Sequence, residues 1–261
     1  MEDFFTLSLL ILMAAAFAAG FVDAIAGGGG LITLPTLLLV GIPPVEALAT
    51  NKLQGIFGSG SAAISYASKG YVDITKQYPV ALACFVGAAI GAFASTRVPS
   101  EYMQAALPVI LIGIALYFAF KRQLGDTDRT RLLGPFALGF MVMPSVAFYD
   151  GLFGPGAGSF YMLAFVSLGG FGLLKATAHT KLLNFASNLG GFAVFALVGA
   201  VIWKTGLLMG LAQFFGARLG AGFAMRKGSK IIKPLLAIGC ILLAIKLLSD
   251  PANPLRVWLG I

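Results

Sequence analysis

The chain predicts an all-α polytopic membrane protein, built as two inverted five-segment repeats with short broken or re-entrant helices. Three observations predict this class. The 261 residues are 59% hydrophobic and only 11% charged, with a mean hydropathy of +0.93, whereas a soluble domain carries about 25% charged residues. Uncharged runs of spanning length recur at 4–22, 78–96, 132–149 and 182–203, and about 20 apolar residues cross the hydrocarbon core as a helix. The third observation is an ordered series of internal matches. Phe21-Val22-Asp23 followed by Gly27 and Gly29 falls on Phe148-Tyr149-Asp150 followed by Gly154 and Gly156, an offset of 127 residues. Beyond the short helix the offset is 129: Lys52-Leu53 falls on Lys181-Leu182, Gly70 on Gly199, Gly87 and Gly91 on Gly216 and Gly220, and Arg97 on Arg226. An ordered series at a nearly fixed spacing marks a duplication, with repeats at 1–125 and 126–261.

Ten helical segments follow in order, at roughly 4–22, 30–40, 45–68, 77–97, 102–120, 132–150, 158–170, 174–202, 205–226 and 231–248. The runs are too continuous for barrel strands, which alternate. The first segment is kept as a span and not as a signal peptide, because Glu2 and Asp3 stand where a signal would carry Lys or Arg. The segments at 30–40 and 158–170 are too short to span comfortably, and whether they cross or re-enter stays open. Those at 45–68 and 174–202 begin with polar clusters.

The formal charge of +8 does not point to nucleic acid, because the basic residues cluster at the ends of apolar runs. Lys121, Arg122, Arg129 and Arg131 share one linker, and Arg226, Lys227, Lys230 and Lys233 another. That is the positive-inside distribution, which makes both linkers cytoplasmic and the N-terminus external. If the short segments cross, an odd number of crossings per repeat makes the halves run in opposite directions; if they form hairpins, the count per half changes and parallel repeats stay open. Inverted repeats with interrupted short segments at matched positions point to a transporter with its site where the halves meet.

Chemistry concentrates in 20–60 and its second copy. Four glycines, Gly27 to Gly30, follow Asp23; Pro43-Pro44 precedes a segment carrying Thr50, Asn51, Lys52 and Gln54. Irregular backbone at membrane depth survives only when protein buries it or it lines a polar cavity. A lysine near the bilayer centre costs about 2.5–3.5 kcal/mol, so Lys52 and Lys181 require partners. One reading has both facing a cavity and neutralising an anion near helix N-termini; the other has each snorkelling to the interface. In the second copy His179, Thr180, Asn184 and Asn188 stand with Lys181, and 181, 184 and 188 share one helix face. That polar stripe suits a pathway lining or helix–helix hydrogen bonding. Asp23 and Asp150 are counter-charges for the lysines, caps for the following half-helix, or proton carriers. His179, the sole histidine, either titrates near neutrality or completes a hydrogen-bond network.

Gly28, Gly29 and Gly156 let backbone unwind and approach a small ligand. They are not a nucleotide loop, since no βαβ unit surrounds them. Gly87/Gly91 and Gly216/Gly220 have GxxxG spacing, which suits close helix packing. Arg218, whose counterpart is Ala89, is either a further pathway cation or a lipid-facing snorkeler. Cys84 and Cys240 lie in apolar runs and read as core residues. No metal site, cofactor or clustered nucleophile–base set is expected, so an enzyme is disfavoured.

The run GFVDAIAGGGGLITLPTLLLVGIPPVEALATNKLQ, with the half-repeat YDGLFGPGAGSFYMLAF and ATAHTKLLNFASNLG, resembles the TauE/SafE sulfite exporter family. The resemblance implies a multi-pass protein of the bacterial inner membrane that exports a small sulfur-containing anion such as sulfite or an organosulfonate. It places Asn51-Lys52 and Thr180-Lys181 in the two signature segments. The expected partners are that anion and the bilayer, with a homodimer left open and no nucleic acid. A passive anion channel is the competing function. Lys52→Ala or Lys181→Ala is expected to abolish transport in a folded protein.

Overall fold

The computed structural model describes residues 2–97 and 125–228, with isolated positions at 116 and between 230 and 257. Among the described residues there are eight helices and no strand: α1 (Glu2–Ala26), α2 (Gly30–Leu39), α3 (Pro44–Ala67), α4 (Ile74–Ser95), α5 (Pro135–Leu152), α6 (Ala157–Ser167), α7 (Leu173–Leu197) and α8 (Trp203–Lys227). These match eight of the expected segments within a few residues at most ends. The expected helices at 102–120 and 231–248 fall outside the described residues, as do Lys121, Arg122, Lys233 and Cys240.

Local sequence sets the helix ends. α3 starts on Pro44 directly after Pro43, with Glu46 in its first turn, an arrangement that suits a helix N-terminus. The Asp73 side chain caps α4 by accepting from the backbone N–H of Thr75 at 3.0 Å and of Lys76 at 3.3 Å. α5 is not uniform: Leu138–Val142 forms a π-turn, whereas the corresponding stretch of α1 is regular α-helix.

The spans are amphipathic in the inverted sense that a bilayer favours. α4 exposes Leu82, Val86, Ile90 and Phe93 while burying Ala81, Cys84, Ala88, Gly91 and Ala92. α8 exposes Leu207, Leu211, Phe215 and Leu219. Arg218 is exposed on α8 beside Leu219, so it faces outward and not into a pathway. Large apolar side chains therefore meet lipid, and small residues let backbones approach inside. Helices 8–26, 74–95, 135–152 and 203–227 are each long and apolar enough to cross a membrane.

The glycine pairs make the closest approaches. A Cβ on Gly216 would lie 2.0 Å from the Phe17 carbonyl oxygen, and one on Gly220 2.3 Å from that of Phe21. In the other half, Gly87 abuts the Pro144 carbonyl and Gly91 that of Phe148. Pro144 and Phe148 follow Phe17 and Phe21 at the 127-residue offset, so the contact of α1 with α8 recurs as that of α5 with α4. α3 and α7 cross with opposite direction: Lys52 lies against Gly191, Gly55 against Asn188 and Gly60 against Phe185.

The short helices turn back. Gly29, at the start of α2, lies beside the Ala19 carbonyl and Asp23 of α1, and Leu37 shares a cluster with Leu12 and Ala16. Likewise Phe160 of α6 meets Tyr149 of α5 at 4.7 Å between rings, while Gly169, just past α6, abuts Leu138. α1–α2 and α5–α6 are thus helical hairpins. Segment 125–133 joins the α6–α7 turn through Arg129 N–H to Gly170 O (2.6 Å) and Leu132 N–H to Leu168 O (2.9 Å). Gly228 packs on Asp126, so the described parts of both basic linkers gather at one end of the bundle.

Candidate functional site

The tips of the two hairpins touch. Gly27 has φ 76°, and a Cβ there would lie 2.6 Å from the Gly158 carbonyl carbon. Only a residue without a side chain satisfies both the left-handed backbone and that approach. The two breaks therefore stand back to back in the interior.

Two ion pairs cross between the halves at this point. Lys52 Nζ of α3 lies 2.6 Å from Asp150 Oδ1 of α5, and Lys181 Nζ of α7 lies 3.0 Å from Asp23 Oδ2 of α1. Both lysine side chains are fully buried. Neither snorkels, and each amine expected to face an anion is occupied by the aspartate of the opposite half. Asp23 and Asp150 each lie in an ion pair with the lysine of the other half.

The two pairs differ in their other bonds. Asp23 Oδ1 also accepts from the backbone N–H of Gly28 and Gly29, each at 3.0 Å. It therefore holds the glycine turn that leads into α2 as well as a lysine, while α2 itself starts after Gly29 with no side-chain cap. Asp150 Oδ2 instead accepts from the Ser187 hydroxyl in a short hydrogen bond.

Between the tips and the α3–α7 crossing lies a cavity of about 30 Å³, enough for one or two waters. Gly28, Gly29, Gly156, Asn51, Asn184 and Asn188 line it, together with both aspartates. Asn51 Oδ1 accepts from Thr33 Oγ1 at 2.6 Å and from Gln54 Nε2 at 2.8 Å. That double acceptance turns its amide nitrogen toward Gly30, leaving a donor at the cavity wall. Asn188 donates to Ser59 Oγ at 3.4 Å.

Six expected residues are not among those lining this cavity: Lys52 and Lys181, each held by its aspartate, and Thr50, Gln54, His179 and Thr180. Thr50 Oγ1 accepts from the Ile202 N–H at 3.1 Å and so tethers the start of α8. Gln54 braces Asn51 and keeps its own Oε1 without a partner, and the buried Thr180 hydroxyl is also without one. His179 packs against the rings of Phe165 and Phe171 at 5.5 and 5.0 Å and lines a separate cavity. Conversely, Thr33, Ser187 and Ser59 hydrogen-bond within this cluster and Gln213 lines the cavity, none of them among the expected residues. Gln213 has a usable signal, an amide in the middle of an uncharged span. Among the described residues no cluster of three or more His, Cys, Asp or Glu could hold a metal ion.

A family model described as sulfite exporter TauE/SafE matches residues 12–247. The chain belongs to the TauE/SafE family. It is a membrane transporter, as its relatives are described. The probable membrane transporter protein ORF9 of Sinorhizobium sp is 57% identical over 260 residues, covering all of both chains. The probable membrane transporter protein YfcA of Escherichia coli (strain K12) is 45% identical, with 97% of this chain and 95% of that one aligned. YunE of Bacillus subtilis (strain 168), another probable membrane transporter protein, is 26% identical over 94% of this chain and 98% of its own. No solved structure matches. Within this TauE/SafE transporter, the paired lysines and the hairpin tips fall inside the matched segment.

Proposed function

We propose that this TauE/SafE transporter exports a small sulfur-containing oxyanion, sulfite or organosulfonate-like, across the bacterial inner membrane by alternating access between inverted repeats at 1–125 and 126–261. The observation that carries the reading is the crossed pairing of Lys52 with Asp150 and Lys181 with Asp23 beside a polar cavity. An entering oxyanion competes with a carboxylate for a lysine. Because each pair bridges the halves, releasing it loosens one half from the other, which couples binding to rocking. The exchanged packing of α1 on α8 and α5 on α4, and the opposed course of α3 and α7, support the inverted arrangement. The gathered basic linkers support a cytoplasmic assignment for that end. An interior-negative potential favours anion exit by about 2.3 kcal/mol per charge per 100 mV, so export requires no coupling ion.

A carrier is favoured over a passive channel by the small central cavity, too narrow for continuous conduction. The test is efflux from proteoliposomes loaded with sulfite, a short-chain organosulfonate or chloride. Saturating efflux, stimulated by the same anion on the opposite side, is the expected result. Non-saturating flux without counter-exchange overturns the carrier, and no flux of any sulfur oxyanion overturns the substrate class.

A further inference from the structure

We propose that a second cavity, at the basic-linker end of the bundle, is a loading site for a small amphiphilic organic acid; the inference rests on the exporter reading. Its volume is about 460 Å³, within the range of about 300–1,000 Å³ typical of pockets that enclose organic ligands. The central cavity, at about 30 Å³, holds no such molecule in this conformation.

The lining has two chemistries. Val80, Leu138, Met143 and Phe165 supply an apolar wall, while Lys76 and Arg131 bring two cations. Among the described residues Asp73 is the one carboxylate lining it; its Oδ1 caps α4 and its Oδ2 pairs with the exposed Lys76 amine at 3.3 Å, so the described lining carries one cation more than it has carboxylates, and Arg131 supplies it. The set therefore favours an anionic head on an apolar body. Gln77, 7% exposed, donates through Nε2 to the His179 carbonyl at 3.2 Å, while its Oε1 has no partner. A buried acceptor of that kind is completed by a donor on the ligand or by a water carried with it.

The cavity is not a by-product of the duplication. The π-turn of α5 forms part of its wall through Leu138 and Gly139, and π-turns often mark functional positions. At the opposite end Gly206 replaces Gln77 at the 129-residue offset, and Leu53 fills the space: a Cβ on Gly206 would meet Leu53 Cδ2 at 2.7 Å. α7 links the two cavities, since His179 lines this one and Asn184 the central one. Five residues of helix separate them by about 7.5 Å. An acid held here is one short step from the paired lysines.

The test is calorimetric binding to the full chain in lipid nanodiscs, with empty nanodiscs subtracted. The probes are methane-, propane- and pentanesulfonate, the matching carboxylates, and inorganic sulfate. Affinity is expected to rise about fourfold per added methylene, from about 0.8 kcal/mol per buried CH₂, with sulfate weakest. Parallel slopes for both acid types support recognition of charge and body alone; a steeper sulfonate series supports it with head-group selectivity. Arg131→Gln is expected to weaken every organic acid, Asp73→Asn to tighten them while preserving the cap, and Val80→Phe to abolish the chain-length slope. A flat series in the wild type, or one unmoved by all three variants, overturns the site. Proteoliposome efflux of propanesulfonate and of sulfite is read in parallel, the organosulfonate arm testing the loading site. Binding lost with efflux intact refutes the loading site alone, and binding intact with no anion transported refutes the exporter reading alone.

Discussion

Lys52 and Asp150 meet at 2.6 Å although 98 residues separate them, and the lysine is fully enclosed. A charge in that setting tolerates its partner's loss poorly: removing one member of a buried pair costs about 3–5 kcal/mol. Lys52→Ala is therefore expected to destabilise the protein as well as stop transport, which revises the expectation of a fully folded variant. Lys52→Met combined with Asp150→Leu is expected to recover most of the stability without recovering transport. Thermal unfolding in detergent across the double-mutant cycle checks this; a double variant no more stable than the singles contradicts it.

The two aspartates are not equivalent. Asp23 satisfies two backbone N–H groups at the entry of α2, whereas Asp150 takes a serine hydroxyl. Each buried N–H left without a partner costs about 1–3 kcal/mol. Asp23→Ala is expected to lower stability by at least about 2 kcal/mol more than Asp150→Ala, while Asp23→Asn keeps part of the bonding to the glycine turn. The reverse ranking in chemical denaturation would remove the turn-holding role of Asp23.

Gly91 and Gly216 each seat a helix on a carbonyl, where an added Cβ would come within 2.0 Å. Gly91→Ala and Gly216→Ala are expected to force backbone displacement, costing about 1–3 kcal/mol or more. Gly222, on the same helix as Gly216, has nothing within 4 Å of an added methyl. Gly222→Ala is expected to gain about 0.5–1 kcal/mol through helix propensity. Equal melting temperatures for Gly216→Ala and Gly222→Ala would sink the packing argument.

Asp73 carries a pH prediction. Its hydrogen bond from the Thr75 hydroxyl, and then that from the Lys76 N–H, hold its carboxyl down at about 2 against an ordinary 3.8. A depressed carboxylate contributes fully above its unfolded value and loses that contribution as pH falls through the folded one. Protection of the Thr75 and Lys76 amides, corrected for intrinsic exchange, is expected to be flat from about pH 8 to 5 and to fall only toward about pH 2. Loss of protection between about pH 6 and 5 would show that another group controls this cap.

Much of this was legible in the chain because it is local or periodic. The spans follow from uncharged runs, the breaks from Gly27–Gly30 and Gly154–Gly158, and the matched GxxxG contacts from the internal offset. The pairing of Lys52 with Asp150 rather than with Asp23 was not legible, since proximity in sequence points the other way and only the crossing of α3 and α7 decides it. The turn-back of α2 and α6 was open for a similar reason: length shows that a helix falls short, not which way it then runs. His179 stands beside Thr180 and Lys181 in the sequence, but successive residues on a helix face different ways, and its ring belongs to the other cavity. The π-turn in α5 leaves no trace in hydropathy.

The crossed ion pairs also constrain how the chain is made. Asp23 emerges from the ribosome 158 residues before Lys181, and Lys52 likewise precedes its acid. Until the later helices arrive, each carries a charge that costs about 2.5–3.5 kcal/mol at the bilayer centre. The early hairpin is therefore obliged to linger beside the insertion machinery or shelter its carboxylate provisionally. A chain truncated before residue 150 would leave both charges without their native partners, a mark by which membrane quality control can recognise an unfinished molecule.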